Sequence, residues 1–190
     1  MSDITGSFEG GLDLSAKILG AKGKVLPSSL ENITLEAILE DGTKVVGESL
    51  IPLKKGKINE INLIPKNARG TESAKDALNQ SDIIIVGPGS LYTSIIPPLI
   101  VEDIMKIIQE SKALKIYVCN IATQKGETDN YTVGDHINAI KKHIHKNIFD
   151  YVLVDDDFHS PITSHNEERV KLSEKDLLNP KIVKFDVKSE

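Results

Sequence analysis

A chain of 190 residues with 39% hydrophobic and 27% charged side chains can build one domain with a sizeable core. With no Trp and only 4% aromatics, that core must be Ile, Leu and Val, which argues against a stacking platform for single-stranded nucleic acid. A net charge of −5 and no long basic run argue equally against an electrostatic nucleic-acid binder.

In chain order, residues 5 to 19 predict a helix with Phe8, Leu12, Ala16 and Leu19 along one side. It starts almost at the first residue, with no strand before it and no secretory signal pattern in "MSDITGSFEGG". "NITLEAILEDGTKVVGESLI" then has a period of two. Ile33, Leu35, Ala37 and Leu39 alternate with Thr34, Glu36, Ile38 and Glu40, the pattern of a half-buried strand. Asp41-Gly42 favours a two-residue hairpin, Lys44 to Ile51 form the returning strand, and "INEINLIP" (58–65) adds a third. Residues 24–65 therefore predict a small antiparallel β unit.

From residue 71 helices and strands alternate. Thr71 is placed to cap the helix "TESAKDALNQ". "DIIIVG" reads as a strand apolar on both faces, as in the middle of a parallel sheet. "VEDIMKIIQES" is a helix with Ile104, Ile107 and Ile108 inward, and "KIYVCNIA" is the next buried strand, holding Cys119 as a small core residue. Thr132 and Asp135 form a capping box for the helix "TVGDHINAIKKHIH". The strand "FDYVLVD", a short helix "SEKDLL" opened by Ser173 and Asp176, and a last strand "KIVKFDV" complete the chain. Such repeats predict an α/β fold: a Rossmann-like three-layer sandwich with a mostly parallel sheet and helices on both faces. One cysteine allows no internal disulfide, and "SIIPPLIV", broken by Pro97 and Pro98, is too short to cross a bilayer. A cytoplasmic location without membrane insertion is expected.

Ligands of open parallel sheets bind beyond the carboxyl ends of the strands. Three strands end there in polar segments, "GPGSLYTS", "NIATQKGETDNYT" and "DDDFHS", which should meet on one rim. In the first, Gly87 and Gly89 allow close backbone approach, and the amides of Gly89 and Ser90 with the hydroxyls of Ser90, Thr93 and Ser94 suit an anion such as phosphate. The alternative is a tight turn with solvated hydroxyls. In the second, Asn120, Thr123, Gln124, Glu127 and Thr128 gather donors and acceptors around Gly126. Asp135 and His136 are the only catalytic candidates; they either cap and open the helix or face the rim. Asp155 and Asp156 offer oxygens for a magnesium ion, or form a solvated acidic run with Asp157. His143 and His145 share no ligand spacing with a carboxylate or cysteine, and His159 and His165 are loop residues without an evident partner. Neither a G-x-G-x-x-G fingerprint, a Walker loop nor a Gly-x-Ser-x-Gly elbow occurs.

"ITGSF", "GKVLPSSLENITLEAILEDGT", "GPGSLYTSIIPPLIV", "IYVCNIATQKGETDNYTVGDH" and "AIKKH" together resemble the YvcK-type gluconeogenesis factor family, which is related to the CofD 2-phospho-lactate transferases. The resemblance covers residues 4 to 155 and implies a nucleotide-binding Rossmann-like fold. On the gluconeogenesis-factor side it implies a UDP-sugar-binding regulatory protein, needed for growth on gluconeogenic carbon and for cell shape and wall maintenance, with protein partners in cell-wall synthesis. On the transferase side it implies an enzyme moving a phospho-lactyl group from a guanine nucleotide with magnesium, and no other cofactor is expected. The "GPGSLYTS" wording favours the first. The family's initial Gly-rich loop and its Asp-Asp-Gly-Gly segment are absent, so the expectation is a single partial CofD-like domain over residues 1–190. A homodimer covering the sheet edge is the expected consequence.

Overall fold

The computed structural model describes residues 5–54, 56–157, 168–173, 176 and 181–185. Helix α1 (Phe8–Ile18) begins at Ser7, whose hydroxyl accepts the Gly10 N–H. Only Gly11 and Ala16 of α1 are buried, so the expected stripe through Phe8 and Leu19 is left open to solvent.

The antiparallel unit forms as its alternation dictates. Strands β1 (Thr34–Leu39), β2 (Lys44–Val46) and β3 (Ile58–Ile64) pair in the order β2-β1-β3, with Ala37 opposite Val45 on one side and Ile61 on the other. Leu35, Ala37 and Leu39 face inward. The returning strand stops at Val46 rather than Ile51, because Gly47 adopts φ 108° and turns the chain into a short 3-10 segment, Glu48–Leu50. That conformation is open to glycine at little cost.

Helix α2 (Glu72–Asn79) is capped by Thr71 as expected, its hydroxyl accepting the Ala74 N–H at 3.1 Å. Strand β4 (Ile83–Val86) leads into a π turn (Leu91–Ile95), the short α3 (Ile96–Leu99) and α4 (Glu102–Glu110). Then follow β5 (Leu114–Val118), α5 (Val133–Ile144), β6 (Tyr151–Asp155) and β7 (Lys181–Phe185). The last four strands form one parallel sheet in the order β4-β5-β6-β7. The α5 capping box forms as read: Thr132 accepts the Asp135 N–H and Asp135 accepts the Thr132 N–H. Ser173 donates its N–H to Asp176, but the rest of the short helix expected there lies outside the described residues.

Strand β4 departs from the expectation of a strand buried on both faces. Ile84 and Val86 are buried, whereas Ile83 and Ile85 are 53% and 62% exposed. It is an edge strand, and the described helices cover one face of the sheet instead of two. On the covered face Ile84, Val86, Tyr117, Val152 and Val154 join Ile104, Ile108, Ile137 and Ile140 in a core that runs on into Leu35, Ala37 and Ile61. An apolar tetrad reads the same whether or not its second face finds a neighbour, so periodicity could not separate the two cases.

His143 ties the β unit to α5. Its Nε2 accepts the Ile61 N–H at 2.9 Å and its Nδ1–H donates to the Ala139 carbonyl at 2.7 Å, an arrangement that requires the neutral ring. The Tyr92 ring packs edge-on against it, and Glu60, Lys66, Lys142 and His145 are the charged or titratable groups around it. Burial first, helped by Lys142 and His145, holds its pKa below the usual imidazole value. Burial does the same to His136. A depressed folded-state pKa means the unfolded chain binds the proton better. The stability these rings contribute is therefore full above about pH 6.5 and drains as pH falls through the lowered values. Urea melts at pH 7.5 and 5.5 should show that loss, and His143→Gln, which keeps an acceptor for Ile61, should remove about half of it. An unchanged loss would refute the assignment.

Candidate functional site

The two glycine-bearing loops meet at the carboxyl ends of β4 and β5, as the topology requires. Gly87 leaves β4 at φ 85°, and a Cβ there would lie 2.7 Å from the Val118 carbonyl oxygen. Glycine is thus the only residue that lets the turn press onto β5. The Asn120 carboxamide grips Gly89 twice, donating from Nδ2 to its carbonyl at 2.8 Å and accepting its N–H at 3.3 Å. Gln124 Nε2 donates to Ser90 Oγ at 2.8 Å.

Glu127 closes the same seam. Its carboxylate is buried and accepts the Tyr92 N–H at 3.3 Å and the Thr93 hydroxyl at 3.1 Å. It therefore sits at the start of the Leu91–Leu99 segment, where exposed amides attract an anion. Burial raises its pKa, with the bonds from Thr93 and Tyr92 opposing. The expectation of an external phosphate on Thr93 is altered by this carboxylate: the Thr93 hydroxyl is already engaged from within. Ser94 is exposed at the surface.

The remaining loop residues shape the seam. The Thr128 hydroxyl is fully buried and accepts the Gln124 N–H at 2.8 Å. Thr123 donates its N–H to the Glu168 carbonyl at 2.8 Å and accepts the Glu168 N–H on its hydroxyl at 3.1 Å. Gly126, at φ 84°, lies so close to the β unit that a Cβ would fall 2.1 Å from the Pro52 carbonyl oxygen.

Beside the seam is a cavity of about 590 Å³. Gly89, Ser90, Asn120 and Gln124 form its polar wall, Val118, Leu153 and Phe185 its apolar floor, and Asp155 closes the far end. Its volume is that of a drug-sized ligand site. Two buried acceptors on residues of this lining, Gln124 Oε1 and Asp155 Oδ1, have no hydrogen-bond partner among the described residues. Both oxygens are enclosed, and each orphaned acceptor costs about 1–3 kcal/mol.

Asp155 and Asp156 are not arranged as a cation pair. The other oxygen of Asp155 is taken by the Arg169 guanidinium, which also approaches Asp157 at 3.7 Å. Asp156 is exposed and donates its backbone N–H to Phe185. Among the described residues no group of three or more His, Cys, Asp or Glu side chains is placed to hold a metal. Arg169 belongs to a segment laid across the rim, bridged to Ala122, with the Val170 N–H donating to Ile121 at 2.8 Å.

Asp135 and His136 do not line this cavity. The Asp135 carboxylate is spent on the Thr132 cap, and His136 is fully buried with Nδ1 against the Thr132 carbonyl at 2.9 Å. Cys119 borders the cavity, but burial pushes its thiol up to about 12, so it stays protonated and unreactive at neutral pH. His159 and His165 lie outside the described residues. Sequence reasoning missed Arg169 and the Phe185 floor. The only available signal was that a carboxylate ending a buried strand needs a cationic partner.

The sequence profile of the family described as 2-phospho-L-lactate transferase CofD matches residues 1–188. A gluconeogenesis factor of Halalkalibacterium halodurans is 46% identical over 154 residues, covering 81% of this chain and 48% of the relative. A gluconeogenesis factor of Bacillus subtilis is 40% identical over 154 residues, covering 81% and 49%. A crystal structure of a UPF0052-family protein from Bacillus halodurans superposes with a TM-score of 0.88 at 39% identity, over 97% of this chain and 62% of that one. The chain spans about half the length of these gluconeogenesis factors. With the family profile matched over nearly its whole length and the fold shared with a solved relative, the chain belongs to the CofD family, alongside members that carry the name gluconeogenesis factor.

Proposed function

We propose that this chain carries one wall of a nucleotide-sugar site and acts by binding rather than by turnover. The observation that supports this reading is the cavity beyond the parallel strands, with an apolar floor for a flat ring and a polar wall of Gly89, Ser90, Asn120 and Gln124. The name shared by its relatives supports a role in growth on gluconeogenic carbon. A UDP-sugar ligand, with a linked role in cell shape through cytoplasmic protein partners, completes the proposal. The transferase reading, favoured by the family's description, needs an activated nucleophile beside the nucleotide. His136 is enclosed, Cys119 is held as the thiol, and the Asp155 charge is already matched by Arg169, so these residues do not fit that chemistry or its magnesium.

Calorimetric titration with UDP-N-acetylglucosamine and with GDP, on this chain and on the full-length B. halodurans relative, tests the reading. Binding of the UDP-sugar is expected, with no transfer when a guanine nucleotide carrying the phospho-lactyl group is supplied with a deazaflavin acceptor. Gln124→Ala removes a polar side chain of the cavity wall and its hold on Ser90, and should weaken binding about tenfold, or about 1.4 kcal/mol. Thr93→Ala should change affinity by less than about twofold, because that hydroxyl already serves Glu127. Equal losses in the two variants would place the ligand on the Leu91–Leu99 turn instead.

A further inference from the structure

Successive residues of the Gly126 loop serve two different cavities. Gln124 lines the one beside Ser90 and Asn120, whereas Lys125, Gly126 and Tyr131 line a second, of about 760 Å³. The opposite wall of the second cavity is the turn that carries Pro52, Leu53, Lys54 and Lys57. The two walls are fixed against each other, since a Cβ on Gly126 would fall 2.1 Å from the Pro52 carbonyl oxygen. A cavity held open in this way asks for little ordering when it is filled. Its surface combines apolar area with unmatched positive charge. Leu53 is 76% exposed, and the Tyr131 hydroxyl is already engaged with that of Tyr92 at 2.7 Å. Lys54 and Lys125 have no ion-pair partner among the described residues, and Lys57 has only Glu40 at 3.9 Å. The two carboxylates of the lining are occupied elsewhere. Glu127 accepts the Tyr92 N–H and the Thr93 hydroxyl, and Asp129 accepts the Gly126 N–H at 2.7 Å.

We infer that this second cavity binds a small organic phosphate, with the phosphate among Lys54, Lys57 and Lys125 and an apolar body against Pro52 and Leu53. A lysine ammonium acts on an anion as a point charge, so three of them favour a phosphate dianion over a carboxylate. Each exposed ion pair adds little by itself, and the apolar wall is what turns a charged rim into a site. A long polyanion does not fit, because the chain as a whole carries a net charge of −5 and would repel it beyond the three lysines. The inference is independent of the nucleotide-sugar reading, since Ser90, Asn120 and Gln124 take no part in this cavity.

Phenyl phosphate is the probe, and benzoate, inorganic phosphate and benzyl alcohol separate the contributions of the dianion, the charge and the ring. Amide 1H–15N shifts of the whole chain report where each one binds. Phenyl phosphate should shift Leu53, Lys125, Gly126 and Tyr131 saturably and leave Gly89 and Asn120 in place. Benzoate should bind about threefold more weakly, and inorganic phosphate and benzyl alcohol about tenfold more weakly. Lys54→Glu with Lys125→Glu should weaken phenyl phosphate by more than about tenfold. Lys22→Glu with Lys24→Glu makes the same change of charge in the exposed loop after α1 and should cost less than about twofold. The amide spectrum of each variant shows at the same time that it is folded. Equal losses in the two double variants overturn the proposal, as do shifts spread over the surface or centred on Gly89 and Asn120. The absence of a saturable shift with millimolar phenyl phosphate overturns it as well.

Discussion

Gly126→Ala is expected to lower the unfolding free energy by about 2–4 kcal/mol, measured by urea denaturation at neutral pH. Two separate costs combine. The residue sits at φ 84°, where an L side chain is strained by about 1–2 kcal/mol. Its Cβ would also fall 2.1 Å from the Pro52 carbonyl oxygen and 3.0 Å from the carbonyl carbon. Those are backbone atoms, so relief requires the loop or the β unit to move bodily. Gly42 provides the control. It has the same φ of 84°, and a methyl group added there would meet nothing within 4 Å, so Gly42→Ala should show the strain alone. If both substitutions cost the same, the contact with Pro52 contributes nothing. Because Glu127 follows Gly126 directly, the displaced loop should also release Tyr92 and Thr93.

Arg169→Met is the second large effect, with an expected loss of about 3 kcal/mol. The Asp155 side chain is only 8% exposed, and one of its oxygens is already without a partner. Removing the guanidinium strands a carboxylate in a site with little water. A surface ion pair would give less than about 1 kcal/mol, so the measured value reports how dry the end of β6 is. The double variant Asp155→Asn with Arg169→Met removes both charges and should recover most of the loss. A double variant no more stable than Arg169→Met would show that the guanidinium acts through contacts other than the Asp155 carboxylate.

Much of the fold could be read where a local rule had a single solution. The Thr132 and Asp135 capping box and the Thr71 cap each depend on neighbours a few residues apart, and both form. The hairpin turns at Asp41-Gly42 as expected but through three residues, Glu40 to Gly42, instead of two, since Leu39 donates its N–H to Thr43 and Ile38 lies opposite Lys44. The meeting of the Gly-Pro-Gly and Gln-Lys-Gly-Glu loops was also legible, because parallel strands in sequence order carry their downstream loops to one end. What the loops do to each other was not. Glu127 and Thr128 looked like ligand donors, yet one carboxylate fills a helix start and one hydroxyl closes its own loop. Polar residues that satisfy each other have the same composition as polar residues that await a ligand. The sheet's second face was hidden for a related reason, since Ile83 and Ile85 are as apolar as Ile84 whether or not anything lies on them.

The double grip of Asn120 on Gly89 has a mechanical consequence. A carboxamide that donates to the carbonyl and accepts the N–H of one residue imitates a backbone neighbour, so pairing between β4 and β5 gains a rung past the last residue of either strand. The cavity's polar wall is thereby stiffened before any guest arrives. Little freedom remains to be lost on capture, and a pull on Ser90 is felt at once along β5.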